Sequence, residues 1–126
     1  FCPSMLDTVG PQMIKVDHPA PFMTFTFEVA EEWKTRVPEV VHEDGTSRAQ
    51  VLKREYNPRY YDMMKALEVL TGNGVSLNTS LNRRGEPMVC SPTDALNMFF
   101  GSDLQYLIME DILVVKEGAP TYESLD

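Results

Sequence analysis

The chain has 126 residues, 43% of them hydrophobic, so it is long enough for one globular domain with a core and too short for two domains of ordinary size. Its formal charge of −8 argues against non-specific binding to nucleic acid or to an anionic membrane, because both depend on Lys and Arg side chains that neutralise phosphates. Seven of the eleven basic residues nevertheless fall between positions 48 and 84, which leaves room for a small anionic ligand.

The cysteines and the termini indicate the cellular context. Cys2 and Cys90 are far apart and belong to no metal-binding pattern, so we expect both to be buried small residues of a reduced, cytoplasmic protein. No apolar run approaches the ~18 residues that a membrane span needs, and the N-terminus lacks the layout of a signal peptide. The chain begins with Phe1 and not with Met, which indicates a piece of a longer protein.

The first third of the chain predicts one strand and one short helix. Residues 1–21 contain four of the nine prolines and no sustained period, which predicts an irregular lead-in that crosses a surface. Residues 22–28 alternate apolar and polar side chains, the pattern of a half-buried strand. Residues 30–36 predict a short helix that Trp33 anchors in the core and Pro38 stops.

A turn and a second strand follow. Residues 42–47 predict a turn-rich connection, in which we expect His42 to be a surface turn residue and not an acid–base partner of Asp44. Residues 48–54 predict a strand with Arg48, Gln50 and Leu52 on one face. This face can be a binding surface or an ordinary solvated one, and the sequence leaves both open.

Two helices carry clear start signals. Asn57-Pro58 predicts a helix that runs to Gly72, and Ser91-Pro92 with Asp94 predicts another that ends at Gly101. The first helix has an apolar stripe that we expect to face the core, formed by Tyr60, Met63, Met64, Leu67 and Leu70. Residues 104–109 and 112–115 predict a hairpin, and residues 117–126 an acidic tail. This order of elements predicts an α/β fold in which helices cover a mixed sheet.

The stretch after the strand at residues 75–77 is the best candidate for chemistry. Residues 78–82 read N-T-S-L-N and carry four hydrogen-bonding side chains without an acid, and Arg83 and Arg84 follow at once. Such a loop is suited to holding a phosphate or a polar planar group. The alternative is an ordinary polar loop, because Asn and Ser are also common turn residues.

Several motifs together resemble one family. They are H-E-D-G-T-S-R-A-Q-V at residues 42–51, Y-N-P-R-Y-Y at 56–61, L-N-T-S-L-N-R-R-G-E-P-M-V at 77–89 and S-P-T-D-A-L at 91–96. In order and spacing they are similar to the C-terminal domain of carbamoyltransferases of the NodU/CmcH type, and the resemblance extends to about residue 116. It implies a YrdC-like twisted mixed sheet with helices packed on it, incomplete because the N-terminal part of that domain is absent.

The resemblance also implies an activity and a site. In the family this domain forms carbamoyl adenylate from ATP, as its Mg²⁺ complex, and carbamoyl phosphate, and an N-terminal actin-like domain transfers the carbamoyl group to a hydroxyl acceptor. Carried over, Ser80 and Asn82 would contact the adenylate or its carbamoyl portion and Arg48 would neutralise phosphate, while Arg83 and Arg84 are further candidates without a matched contact. No catalytic residue and no metal ligand are expected in this chain, and a metal in the actin-like domain is compatible with the resemblance.

Two features of the sequence limit this interpretation. The family's upstream Lys- and Arg-containing segment and its actin-like domain are not in these 126 residues, so we expect the isolated chain to be inactive. The alternatives are a non-catalytic YrdC-like module that binds nucleotide or RNA, and a structural domain that has kept no site. The charge of −8 weighs against RNA, because such a module should present a large basic face.

Overall fold

The chain forms two compact units, the first spanning residues 1–79 and the second beginning at Ser80. The computed structural model describes residues 1–120. Both units combine helices with small sheets, which confirms the predicted mixed α/β class. Whether the two units make up a single domain stays a prediction, and most of the predicted tail at 117–126 lies outside the described residues.

Strand β1 (Cys2–Leu6) is the middle strand of the three-stranded sheet in the first unit, so the prediction of an irregular lead-in at residues 1–21 was wrong for this segment. It pairs in parallel with β4 (Gln50–Leu52) and antiparallel with β5 (Val75–Asn78), and all five of its residues are buried. Pro3 is tolerated because the pairing with β4 begins only at Ser4, so its missing N–H does not interrupt that ladder. A short helix, α1 (Gly10–Met13), follows and buries Met13.

The prediction of a strand over residues 22–28 was mostly wrong. Only Phe27–Glu28 is a strand, β2, and it pairs antiparallel with β3 (Thr46–Ser47). The alternating apolar residues before it do not form a buried face, since Phe22 is 77% and Phe25 49% exposed. Met23 has a positive φ of 52°, which breaks the extended backbone that the alternation predicts.

The predicted helix around Trp33 is confirmed. Helix α2 (Glu31–Arg36) buries the Trp33 indole to 2% exposure, and a 3₁₀ turn (Pro38–Val40) follows at the predicted proline. The Arg36 guanidinium lies over the indole ring, 4.0 Å from its centroid, and donates to the carbonyl of Gly72 and the side chain of Asn73. Arg36 thereby links α2 to the end of the next helix.

Helix α3 (Pro58–Thr71) begins and ends as predicted. The Asn57 side chain accepts a hydrogen bond from the N–H of Tyr60, and Gly72 caps the end in the left-handed conformation, with φ 73°. The predicted core stripe is only partly correct, because Met64 is buried while Met63 is 47% and Leu70 84% exposed. The residues that α3 packs inward are therefore Tyr60, Tyr61, Met64 and Leu67.

The second unit is built from a helix and a hairpin, both as predicted. Helix α4 (Pro92–Phe100) starts with a capping box, in which Ser91 accepts from the N–H of Asp94 and the Asp94 carboxylate accepts from the N–H of Ser91. Strands β6 (Tyr106–Met109) and β7 (Ile112–Val115) pair antiparallel. Ala95, Phe99 and Leu107 form the buried core of this unit.

The two cysteines differ in environment. Cys2 is buried in β1, as expected, whereas Cys90 is exposed just before α4, so the expectation for Cys90 was wrong. The backbone N–H of Cys90 donates to the Asp94 carboxylate at 3.3 Å.

Candidate functional site

The loop after β5 is organised by the side chain of Asn82. Its Nδ2 donates to the carbonyl oxygens of Arg83 (3.1 Å) and Glu86 (3.0 Å), and its Oδ1 accepts from the Ser80 hydroxyl at 2.5 Å. Ser80 is exposed and Asn82 is half-buried. Asn82 therefore shapes the loop, while the Ser80 hydroxyl retains acceptor capacity toward solvent.

The two arginines of the loop have different environments. Arg83 forms a two-pronged ion pair with Glu86, with Nε–Oε2 3.0 Å and Nη2–Oε1 2.7 Å. Its guanidinium lies against Gly101, where any side chain would collide with it. Arg84 is exposed and makes no hydrogen bond or ion pair with the part of the chain that the structure describes. Of the two arginines, Arg84 is therefore the better candidate to bind an anionic ligand, because Glu86 neutralises Arg83.

A cleft of about 370 Å³ lies in the second unit between this loop and α4. Its charged lining consists of Arg83 against two acids, Glu86 and Asp94. Hydrogen bonds from the Ser91 hydroxyl, and then from the backbone N–H of Cys90, hold the pKa of the Asp94 carboxyl below its ordinary value, so Asp94 is ionised at neutral pH. With this balance of charge the cleft does not suit a triphosphate.

Arg48 lies in the first unit, between β3 and β4. It is exposed, and its Nη1 donates to the carbonyl of Met23 at 3.3 Å. The described hydrogen bonds and ion pairs of Arg48 include no carboxylate, so none of them neutralises its charge. Since Arg48 belongs to the first unit and Ser80 and Asn82 belong to the second, their proximity stays a prediction.

The turn before Arg48 is held by an aspartate. The Asp44 carboxylate accepts from the N–H (3.0 Å) and the hydroxyl (2.6 Å) of Thr46, and the hydroxyl contact is the main cause that lowers the pKa of Asp44. Gly45 has the positive φ, 79°, that this turn requires. The His42 Nδ1 lies 3.3 Å from the Thr46 hydroxyl, so His42 is a turn residue and not an acid–base partner of Asp44.

A polar cluster in the sheet of the first unit was not predicted. The Ser4 hydroxyl, which is fully buried, donates to Gln50 Oε1 at 2.7 Å and accepts from Asn78 Nδ2 at 3.0 Å. Asn78 Nδ2 also lies 3.4 Å from Gln50 Oε1. The sequence offered a signal for two of the three, because Gln50 lies two residues after Arg48 and Asn78 two residues before Ser80, each in a motif already singled out.

Metal and membrane features are limited. Within residues 1–120, no group of three or more His, Cys, Asp or Glu side chains is placed to hold a metal ion. A Mg²⁺ ion that arrives with ATP stays a prediction. Across the same residues, no helix is long and apolar enough to cross a membrane.

Comparison with known proteins identifies the family. The model of a family described as carbamoyltransferase C-terminus matches residues 1–116. The chain belongs to this family. The match includes the motif at residues 42–51, which carries Arg48, and the motif at residues 77–89, which carries Ser80 and Asn82. The resemblance by which these three residues were selected is therefore confirmed.

Relatives of this carbamoyltransferase C-terminus include nodulation proteins. Nodulation protein NolO of Bradyrhizobium diazoefficiens is 34% identical over 122 residues, which is 94% of this chain and 22% of that protein. Nodulation protein U of Rhizobium tropici is 34% identical over 83 residues, 66% of this chain and 14% of that protein. An uncharacterized protein of Synechocystis sp. is 33% identical over 143 aligned residues, 98% of this chain and 23% of its own length. The chain thus spans less than a quarter of these relatives.

Proposed function

We propose that this chain is part of the domain of an O-carbamoyltransferase that forms carbamoyl adenylate from ATP and carbamoyl phosphate. The observation that carries the proposal is the match to the carbamoyltransferase C-terminus family over residues 1–116. In the proposed reaction sequence, an actin-like domain of the same polypeptide then transfers the carbamoyl group to a hydroxyl acceptor. The proposed location is the cytoplasm, where ATP is available.

The chemistry of this step requires fixed positive charge. In the balanced reaction, water releases inorganic phosphate from carbamoyl phosphate, and an oxygen of the resulting carbamate displaces pyrophosphate from the α-phosphorus of ATP. Negative charge develops on the leaving pyrophosphate and must be stabilised by cations and by the Mg²⁺ ion that accompanies ATP. Arg48 and Arg84 suit this task because both are exposed and neither has a described carboxylate partner. Arg83 suits it less, because Glu86 already neutralises it.

Ser80 and Asn82 have the chemistry to orient the adenylate. The proposal assigns Ser80 to the carbamoyl or phosphate portion, since its hydroxyl is exposed. Asn82 would act mainly by shaping the loop, because its amide group is already hydrogen-bonded to Ser80 and to two backbone carbonyls. No residue of this chain is proposed as a nucleophile, and the step needs none.

The test is carbamoyl-phosphate-dependent exchange of labelled pyrophosphate into ATP, measured with the product of the complete gene. We expect Arg48→Gln to lower the exchange rate by about 10² to 10³, the usual effect of losing a donor where charge develops. Removing the Ser80 hydroxyl in Ser80→Ala should cost about tenfold or more, since a hydrogen bond to a charged group is lost.

Lys53→Gln is the matched control, because Lys53 is another exposed cation of the first unit with no assigned role. Exchange by Arg48→Gln equal to that of Lys53→Gln would refute the proposed site. The isolated 126-residue chain gives a second test: we expect no detectable exchange, and a rate within about tenfold of that of the complete gene product would show that the local residues suffice.

A further inference from the structure

Three hydrogen bonds join segment 20–23 to Arg48 and to the strand that follows it. The N–H of Val51 donates to the carbonyl of Ala20 (2.8 Å), Gln50 Nε2 donates to the carbonyl of Pro21 (3.0 Å), and Arg48 Nη1 donates to the carbonyl of Met23 (3.3 Å). The Arg48 guanidinium thus donates to the carbonyl of Met23. Two hydrogen bonds earlier in the same segment, at Ala20 and Pro21, hold this carbonyl in place.

Gln50 connects this segment to the buried cluster in the sheet. While its Nε2 holds the carbonyl of Pro21, its Oε1 accepts from the buried Ser4 hydroxyl and lies within reach of Asn78 Nδ2. Both ends of the amide are therefore occupied, which fixes the orientation of Gln50. Ser4 and Gln50 are directly opposite each other in the pairing of β1 with β4, so the cluster also ties the side chain to the sheet register.

The backbone of segment 20–23 needs such support. Met23 has φ 52°, a left-handed conformation that a non-glycine residue adopts only when its surroundings impose it. Residues held in this way are concentrated at ligand-binding sites, where the carbonyl or side chain must point in one direction. Here the carbonyl of Met23 is the group that receives Arg48.

We propose that Ser4, Gln50 and Asn78 are positioning residues for Arg48, acting through segment 20–23. The inference rests on the proposed function, because it concerns the place of the guanidinium that would neutralise phosphate. Asn78 also precedes Ser80 by two residues, so the same cluster fixes the end of the strand that leads into the loop.

The alternative is that the cluster of Ser4, Gln50 and Asn78 only stabilises the sheet. A double-mutant cycle distinguishes this structural role from the proposed positioning role. We measure exchange by the complete gene product for Gln50→Met, Arg48→Gln and the double variant, at a temperature where all are folded. Gln50→Met keeps the length of the side chain and removes both ends of the amide. A misplacement of about 1 Å at a reacting centre costs about 10²-fold, so we expect a loss of about 10- to 100-fold.

The decisive result is non-additivity. If Gln50 acts through Arg48, Gln50→Met should reduce the rate no further once Arg48 has been replaced. Tyr60→Phe is the matched control, because it breaks the hydrogen bond between Tyr60 and Ser76 (3.1 Å) next to the same sheet without touching segment 20–23. We expect this variant to exchange at the parental rate.

The outcomes distinguish the inference from the function on which it rests. Absence of carbamoyl-phosphate-dependent exchange in the parent protein would overturn the proposed function. Full activity of Arg48→Gln would overturn the role of Arg48 and with it this inference. An impaired Arg48→Gln with a normal Gln50→Met would overturn the inference alone. The inference would also be wrong if Gln50→Met lowered the rate equally with and without Arg48, or if Tyr60→Phe lowered it as much as Gln50→Met.

Discussion

The capping box of α4 gives the sharpest stability prediction, through Ser91→Ala. The Ser91 Oγ accepts from the N–H of Asp94 at 3.1 Å and donates to the Asp94 carboxylate at 2.7 Å. Alanine removes both hydrogen bonds and leaves the Asp94 N–H to water, because this helix start is exposed. Substituting an N-cap serine by alanine costs about 0.5 to 2 kcal/mol, and with water available as a replacement partner we expect about 1 kcal/mol.

This magnitude can be measured by thermal unfolding. In a chain of this length, a loss of about 1 kcal/mol lowers Tm by about 3 to 5 °C, provided that the chain unfolds cooperatively. Circular dichroism at neutral pH would give the shift, and hydrogen exchange would show faster opening at the start of α4. The matched control is Thr93→Ala, because Thr93 lies in the same helical turn and its side chain has no described hydrogen bond.

Because alanine is the better helix former, Thr93→Ala should leave Tm unchanged or slightly raised. Ser91→Thr should retain most of the stability, since threonine also caps. Equal Tm values for Ser91→Ala and Thr93→Ala would refute the reasoning, because the capping hydrogen bonds would then contribute nothing beyond helix propensity.

Two further predictions concern the same unit. Because the pKa of Asp94 is lowered in the folded state, its contribution to stability is present above the unfolded value of about 3.9 and is lost as pH falls through the folded pKa. Between about pH 6 and pH 2, denaturant unfolding should therefore show a larger decrease in the free energy of unfolding for the parent than for Asp94→Asn. Equal decreases for the two proteins would contradict this prediction. Phe99 is fully buried and Phe100 is 63% exposed. Phe99→Ala should therefore lower the free energy of unfolding by about 3 to 5 kcal/mol, and Phe100→Ala by much less. Similar denaturant midpoints for the two variants would contradict the described core.

Local chemistry predicted the helix ends. Asn57-Pro58 and Ser91-Pro92 each begin a helix because the cap residue, its proline and the N–H that it binds all lie within four residues. The hairpin of β6 and β7 was predictable for the same reason, since its strands are adjacent in sequence. These elements need little information from the rest of the fold.

Long-range pairing explains the wrong predictions. The segment at Cys2–Leu6 becomes a strand because residues 50–52 and 75–78 lie on either side of it, and no local pattern shows this. The alternation at residues 22–28 predicts a strand, yet only Phe27–Glu28 finds a partner.

The candidate site was predictable to a similar degree. Motif resemblance selected Arg48, Ser80 and Asn82, but the sequence could not show that Glu86 neutralises Arg83 while Arg84 has no described partner. The cluster of Ser4, Gln50 and Asn78 was missed because it joins three segments that are distant along the chain. Each of its members looks like an ordinary polar residue until the strands are paired.

The central position of β1 also has a consequence for the order in which the chain folds. Its partners lie 46 residues away in β4 and 70 to 76 residues away in β5, so a long loop must close before the sheet gains any hydrogen bond. The hairpin at residues 106–115 closes over a two-residue turn. Because contacts between distant residues slow folding, we expect the hairpin and α4 to form early. The first residues of the chain should then be among the last to reach their native place.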